Sequence, residues 1–266
     1  MIRKCFTVNP NRTIEEINSY EILLKDGIYQ GVEIFYPYLK TKEQQEIYLS
    51  GIKSYLKYNP EMVCHLPYGK ANNLASYENL EVIMERYYNA IDFASRVGCK
   101  KLTLHPGEYD GTISKSDALN LMISNIKKLC LYAAKYDMTV MLENLIGEIE
   151  FMKTPEDYLE YKKMINEPNL KMIFDVAHYH TAHIKENKDI VRFITIIGDD
   201  LYHLHISDND GTRDAHGPIG SGTIDFKTYF KALKLMNYEG LYSSEVLFNT
   251  PNDLLNTANN MDDCLK

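Results

Sequence analysis

The sequence predicts an α/β protein that folds as one closed (β/α)8 barrel, and three observations favour this prediction. The chain has 266 residues, close to the length of ~250 residues that is typical of this fold. Short apolar runs with strand character alternate with helical patterns along the whole chain, as expected for a parallel sheet covered by helices. Several of these runs end in histidine, aspartate or glutamate, and a barrel gathers its strand ends around one mouth.

Each predicted strand is followed by a segment long enough for a helix. The strands are predicted over Ile2–Val8, Gly31–Phe35, Met62–Leu66, Lys101–His105, Thr139–Glu143, Lys171–Asp175, Leu201–Ile206 and Leu241–Val246. The first strand is not followed by a Gly-x-Gly-x-x-Gly pattern, so a dinucleotide-binding sheet has little support. The chain contains no low-complexity linker, and residues 1–266 are predicted to form a single domain.

Start and stop residues mark four of the predicted helices. Apolar residues recur at helical spacing over Leu80–Val97 and stop at Gly98, a residue that commonly ends helices. The predicted N-caps are Ser114, with Asp117 completing a capping box, Thr154 before Pro155, and Asp225.

Composition limits the class of protein. A net charge of −8 and a pI near 5.5 disfavour a nucleic-acid partner without excluding one. The five cysteines show no Cys-x-x-Cys spacing, which indicates reduced thiols packed as small core residues. The sequence shows no signal peptide and no transmembrane run, and the predicted location is cytoplasmic.

Four side chains at the ends of strands five to eight could meet at the barrel mouth: Glu143, Asp175, His205 and Glu245. Carboxylates with one imidazole suit Mn²⁺, Mg²⁺ or Co²⁺ and tolerate Zn²⁺. Such an ion could chelate two adjacent sugar oxygens, while Glu143 and Glu245 remove and return a proton. The alternatives are a solvated loop residue or helix cap at Glu143 and a simple helix cap at Asp175.

The remaining histidines of this region have separate interpretations. His178 shares the turn Asp-Val-Ala-His with Asp175 and can point into the same site. His180 and His183 are predicted to be surface or packing residues. His203 lies two residues before His205 on the same strand face, and it is predicted to be a hydrogen-bonded residue of the barrel interior.

These residues carry a resemblance that covers essentially the whole chain. Its most specific part runs from His205 to Asp225 (HISDNDGTRDAHGPIGSGTID) and continues at Leu-Tyr-Ser-Ser-Glu245. The chain resembles the xylose isomerase-like TIM-barrel superfamily, which contains sugar and sugar-phosphate isomerases and epimerases and also the endonuclease IV family. In the epimerase branch, the resemblance implies one metal held by the four residues named above. It also implies Glu143 and Glu245 as the acid/base pair and His178 and Arg213 as substrate contacts.

The resemblance to endonuclease IV implies up to three zinc ions. The matching residues are His65, His105, Glu143, Asp175, His178, His205, Asp214, His216 and Glu245. Under this interpretation the additional metal ligands are His65, His105, His178, Asp214 and His216. If the chain binds only one ion, His65 and His105 instead contact the substrate. Four departures weaken the endonuclease interpretation. The first strand lacks that family's pattern, and the loop from His205 to Asp214 is short. The family's DNA-probing loop is missing, and the chain is acidic.

The first expectation is therefore a metal-dependent isomerase or epimerase of a sugar or sugar phosphate. The alternatives are a zinc phosphoesterase that hydrolyses apurinic sites, and a dehydratase or lyase that acts on a polyhydroxylated acid or cyclitol. A barrel that binds a metabolite without turnover is the least favoured.

The glycines of residues 217–222 serve tight turns or bring amides to a phosphate. Tyr68 is a candidate contact at the rim of the site. Because related barrels often form dimers, the oligomeric state, monomer or homodimer, is left undecided.

Overall fold

The computed structural model describes residues 2–183 and 190–266, and these form a closed barrel of eight parallel strands. Strand order follows the sequence, and the first strand pairs with the last to close the sheet. The strands are β1 (Arg3–Val8), β2 (Gly31–Phe35), β3 (Glu61–His65), β4 (Lys101–Leu104), β5 (Thr139–Glu143), β6 (Leu170–Asp175), β7 (Leu201–Ile206) and β8 (Leu241–Ser244). The predicted (β/α)8 TIM barrel is confirmed.

Helices cover the outside of the barrel. Those of the described residues are α1 (Ile14–Ser19), α2 (Glu21–Lys25), α3 (Lys42–Lys53), α4 (Leu80–Ser95), α5 (Lys115–Ala134), α6 (Pro155–Ile165), α7 (Val176–His183), α8 (Ile190–Ile197), α9 (Phe226–Leu235) and α10 (Pro251–Asp263). In the described ranges, none of them combines the length and the apolar character that a membrane-spanning segment needs.

Three strands end earlier than predicted: β3 ends at His65 and not at Leu66, and β4 and β8 end early at positions that matter for the site. β4 ends at Leu104, so His105 is the first residue of the following loop. Pro106 comes next and has no N–H with which to extend the strand pairing. β8 ends at Ser244, and Glu245 follows it while still donating its backbone N–H to the Ile206 carbonyl at 3.2 Å.

The predicted helix starts hold, with one difference in hydrogen bonding. Thr154 and Asp157 form a complete capping box, and Asp225 accepts a first-turn N–H of α9. The Ser114 hydroxyl oxygen accepts the backbone N–H of Asp117, as expected for an N-cap. The Asp117 carboxylate accepts the Ser114 hydroxyl instead of the Ser114 backbone N–H, so the predicted capping box is wrong in that half.

A small apolar cluster fills part of the barrel interior, separate from the larger core between strands and helices. Its members are Cys5, Val63, Met141, Ile173 and Leu241. Gly31 makes room for this cluster, because a Cβ atom at that position would lie 2.7 Å from Cδ1 of Leu241. Cys5 and three further cysteines are buried free thiols, and burial raises the pKa of the Cys5 thiol.

Candidate metal centre

The four side chains expected to bind metal lie together at the C-terminal ends of the strands. Glu143 and Asp175 end β5 and β6, His205 is the penultimate residue of β7, and Glu245 follows β8. One ligand atom from each lies within 4.8 Å of the others. Nδ1 of His205 is 2.9 Å from Glu143 Oε1, 2.9 Å from Glu245 Oε2 and 3.7 Å from Asp175 Oδ2.

The carboxylates of this set have unsatisfied oxygens. The single Nδ1 proton of His205 serves Glu143 Oε1, and Glu245 Oε2, Asp175 Oδ2 and Glu143 Oε2 are buried without a hydrogen-bond partner. Unpaired charge is costly in a buried site, and a divalent cation held by this set would satisfy the Asp175 and Glu245 oxygens, whereas Glu143 Oε2 faces His65 and His105. The residues therefore fit a hard or borderline divalent ion.

The electrostatics of the set show an excess of negative charge. Burial, together with the charges of Glu245 and Glu143, raises the pKa of Asp175 to about 7. Burial lowers the pKa of His205, but the surrounding carboxylates outweigh this effect and hold it well above its ordinary value. Without a cation, the protein balances these carboxylates by retaining protons.

A second group shares the Glu143 side chain. Its Oε2 atom lies 3.1 Å from Nε2 of His105 and 3.6 Å from Nε2 of His65. Ligand atoms of these three residues also lie within 4.8 Å of one another. Glu143 thus faces the first group with Oε1 and the second group with Oε2.

A third group is more open. Asp214 Oδ2 lies 2.9 Å from Nε2 of His216 and 3.4 Å from Nε2 of His178. Its ligand atoms are not among the sets of described residues that all fall within 4.8 Å of one another. The structure therefore brings together all nine residues implied by the endonuclease resemblance, with two compact groups and one looser one.

Three of these imidazoles share one orientation. In His65, His178 and His216, Nδ1 lies 2.8 or 2.9 Å from a backbone carbonyl oxygen. A carbonyl only accepts, so Nδ1 carries the proton, and in the neutral ring Nε2 keeps a lone pair directed at a carboxylate. Metal-binding histidines commonly have this arrangement.

Other predicted residues lie outside these groups. Arg213, the implied substrate contact, is exposed on the loop after β7 and does not line the cavity at the mouth. His180 bonds the Thr223 hydroxyl and His183 bonds a backbone oxygen. Both fit the prediction of surface or packing residues.

A cavity of about 530 Å³ opens above the candidate metal-binding groups. One wall is aromatic: Phe35 stacks on His65 with ring centroids 4.8 Å apart, and Tyr68 meets His65 edge-on at 4.9 Å. Arg12 also lines the cavity, and its guanidinium bonds Glu16 and the backbone oxygen of Phe248. Tyr68 is therefore at the rim, as its place beside His65 predicted.

The glycine-rich loop after β7 is held by hydrogen bonds within the loop. Asp208 Oδ2 accepts the backbone N–H groups of Gly220 at 2.9 Å and Gly222 at 3.0 Å, and Oδ1 accepts that of Ile224 at 3.3 Å. These amides are occupied within the loop, so the structure favours the turn interpretation over a phosphate cradle. Gly220 has a φ of +93°, which glycine adopts without strain.

Sequence reasoning missed Glu33, a fully buried residue in the middle of β2. Its Oε2 atom lies 3.0 Å from Nε2 of His203, Nε2 of His205 and Oγ of Ser243, and its Oε1 accepts the Thr103 hydroxyl at 2.7 Å. His203 is thus the hydrogen-bonded interior residue that the strand spacing predicted. The one available signal was a glutamate between apolar residues of a strand.

The family model described as xylose isomerase-like TIM barrel matches residues 23–262 of the chain. An uncharacterized protein of Methanocaldococcus jannaschii is 30% identical over 193 residues, which cover 71% of this chain and 65% of that protein. The matched region thus spans just under two thirds of that relative.

Two further similarities point to different activities. A probable endonuclease 4 of Metamycoplasma arthritidis is 28% identical over 201 residues, covering 70% of this chain and 69% of that protein. A solved structure described as a D-tagatose 3-epimerase-like protein has a TM-score of 0.78 and 25% identity, covering 98% of this chain and 96% of that chain.

Proposed function

The chain belongs to the xylose isomerase-like TIM-barrel family, and we propose that it is a divalent-metal-dependent isomerase or epimerase that acts on a sugar. One observation carries the proposal. Glu143 and Glu245, from different strands, both come within 2.9 Å of the same ring nitrogen of His205. Two carboxylates therefore flank one buried ligand set that opens into a cavity of sugar size.

Glu143, Asp175, His205 and Glu245 would hold the ion, and two of their oxygens, Asp175 Oδ2 and Glu245 Oε2, now lack hydrogen-bond partners. When bound, a divalent ion would stabilise the negative charge that develops on two adjacent sugar oxygens. One of the two glutamates removes the proton from the carbon next to the carbonyl. The other returns a proton to the opposite face, which inverts that carbon, or to the neighbouring carbon, which isomerises the sugar.

The cavity lining favours a neutral sugar over a sugar phosphate. Among its lining residues in the described part of the chain, Arg12 is the one lysine or arginine, and it is already bonded to Glu16 and to a backbone oxygen. The glycine-loop amides are occupied by Asp208. Asn9 and Asn11 supply neutral polar groups, and the aromatic wall supplies an apolar face for the sugar ring.

A zinc phosphoesterase of the endonuclease IV kind is the second candidate, and the compact group of His65, His105 and Glu143 favours it. With their Nε2 atoms turned inward, the histidines could hold additional zinc ions. His105→Ala separates the two functions. A one-metal isomerase retains partial activity, whereas a phosphoesterase that needs the second ion loses nearly all activity.

Metal content and solvent exchange together test the proposal. Protein purified without added metal is analysed by inductively coupled plasma mass spectrometry and then incubated with Mn²⁺ and free ketoses in D₂O. We expect one ion per chain and deuterium at the carbon next to the carbonyl. Glu143→Gln and Glu245→Gln should each reduce exchange by roughly 10²- to 10⁴-fold.

His180→Gln is the matched control, because His180 bonds Thr223 outside the metal-binding groups. It should exchange at the wild-type rate. Three zinc ions per chain, with cleavage of an oligonucleotide that carries an abasic site and no exchange into any ketose, would replace this proposal by the second candidate. Loss of water to form a conjugated, ultraviolet-absorbing product would instead indicate a dehydratase or lyase.

A further inference from the structure

The Glu33 carboxylate is surrounded by four donors from three strands. Thr103 of β4 donates to Oε1, and His203 and His205 of β7 and Ser243 of β8 lie around Oε2. Glu33, Thr103, Ser243 and both histidines have no solvent exposure. An ionised carboxylate can only accept hydrogen bonds, so each of these four neighbours must present a proton to it.

This arrangement determines the protonation of both imidazoles. His203 and His205 each face Glu33 with Nε2 at 3.0 Å, and each must therefore carry a proton on Nε2. In His205 the other ring nitrogen, Nδ1, is left to face Glu143, Asp175 and Glu245. The His205 ring is thus oriented by Glu33 on its Nε2 side and by three carboxylates on its Nδ1 side.

We propose that Glu33 is a positioning residue of the metal centre, which fixes the His205 ring with its Nε2–H on Glu33 and its Nδ1 lone pair directed at the ion. The inference rests on the proposed metal dependence and adds a residue that does not itself touch the ion or the substrate. A carboxylate behind a ligating imidazole also raises the electron density on the ligand nitrogen, which strengthens its bond to a cation.

The neighbours of Glu33 show that it is held in place for this contact. Its oxygens are bonded from several directions, so the carboxylate cannot rotate without breaking hydrogen bonds in a dry interior. Cys5 and His203 also lie near Glu33, with ligand atoms within 4.8 Å of one another. Because four donors already saturate the carboxylate, this group is a hydrogen-bonded network behind the site and not a second metal centre.

Glu33→Gln tests the inference. A glutamine amide has one accepting oxygen and an NH₂ group that only donates, so at least one present donor would face another donor. We expect the affinity for Zn²⁺, measured by competition with a chromophoric chelator, to fall by about 10- to 100-fold. The thermal midpoint of the metal-free variant, recorded in parallel, reports the purely structural part of the change.

Glu61→Gln is the matched control. Glu61 begins β3 and pairs with Arg3 and Lys101 at the opposite end of the barrel. This variant should lose thermal stability and keep the wild-type zinc affinity. Equal zinc affinities of Glu33→Gln and wild type would overturn the inference alone, whereas wild-type protein that binds no metal would overturn the proposed function and the inference with it.

A measurement on the wild-type protein covers the case in which Glu33→Gln fails to fold. In zinc-loaded protein labelled with ¹⁵N-histidine, long-range proton–nitrogen NMR spectra distinguish the two ring nitrogens of His205. We expect a protonated Nε2 and a metal-bound Nδ1. A protonated Nδ1, or an Nε2 without a proton, would overturn the inference.

Discussion

His216 lies with its Nδ1 atom 2.9 Å from the backbone oxygen of Glu245, so the long loop after β7 is fastened to the residue that follows β8. The same imidazole presents Nε2 to Asp214 at 2.9 Å. Burial lowers the pKa of His216, but the bond to Asp214 and the charge of Glu245 outweigh this and raise it to about 9. In the metal-free protein, the protonated His216 side chain therefore links the loop after β7 to the segment after β8.

The variant His216→Asn is therefore expected to leave the metal content at one ion per chain and to reduce sugar turnover by about tenfold. Asparagine suits this position, because His216 has a φ of +46°, a conformation that asparagine tolerates better than most residues. Metal analysis and the deuterium-exchange assay check both parts. A metal content that falls from three ions to two would instead make His216 a ligand.

Asp175→Asn should stabilise the metal-free protein and remove its stabilisation by metal. Burial and the charges of Glu245 and Glu143 disfavour the ionised Asp175 carboxylate, so removing its charge should raise the free energy of unfolding by roughly 1 to 3 kcal/mol at pH 8. The amide oxygen can still accept the His178 backbone N–H that Asp175 Oδ1 accepts at 2.7 Å. Urea unfolding with chelator and with Mn²⁺ measures both effects, and a variant less stable than wild type under chelator would contradict the repulsion argument.

Asp208→Ala should loosen the loop that carries Asp214 and His216. Asp208 is buried and accepts three backbone N–H groups of that loop, and leaving these donors unpaired should cost about 2 to 4 kcal/mol. Urea unfolding and limited proteolysis between residues 209 and 225 test this expectation. Asp210→Ala, at an exposed position of the same loop, is the control, and equal proteolysis of the two variants would show that Asp208 does not anchor the loop.

The stability contributed by Asp200 should depend on pH. Burial raises its pKa, but hydrogen bonds from Lys162 and Lys171 outweigh this and hold the pKa below its ordinary value of 3.8. A lowered carboxyl pKa stabilises the fold above the unfolded value, and this contribution disappears as the pH falls through the folded value.

Asp200→Asn should therefore lower the free energy of unfolding by roughly 1 to 2 kcal/mol at pH 7, with the difference shrinking below pH ~4. Urea titrations from pH 7 to pH 3 measure it. The exposed neighbour Asp199 provides the control variant Asp199→Asn, which should follow wild type throughout. A difference that stays constant down to pH 3 would rule out the ion pairs as its source.

The fold could be predicted because two periodicities, those of helix and strand, alternate without interruption along the chain. Strand ends were predicted less well, since they depend on where pairing with a neighbour stops. At Glu245 the backbone still bonds Ile206 after the regular strand has ended. The apolar character of the residues alone does not show where regular strand pairing ends.

The clustering of the candidate metal ligands could be predicted because polar groups at strand ends stand out against apolar runs. Glu33 lacks this signal, since it lies inside β2, in a strand buried along nearly its whole length. Its hydrogen bonds join β2 to β4, β7 and β8 across the interior, and such contacts between strands far apart in sequence leave no local signal. The substrate contact of Arg213 stays a prediction, since only the family resemblance implied it and the residue is exposed on its loop.

Glu143 is the side chain shared by the compact groups at the mouth, with Oε1 toward His205 and Oε2 toward His65 and His105. Sharing makes occupancy of the two positions interdependent: a cation bound at one oxygen withdraws electron density from the other and repels a second cation.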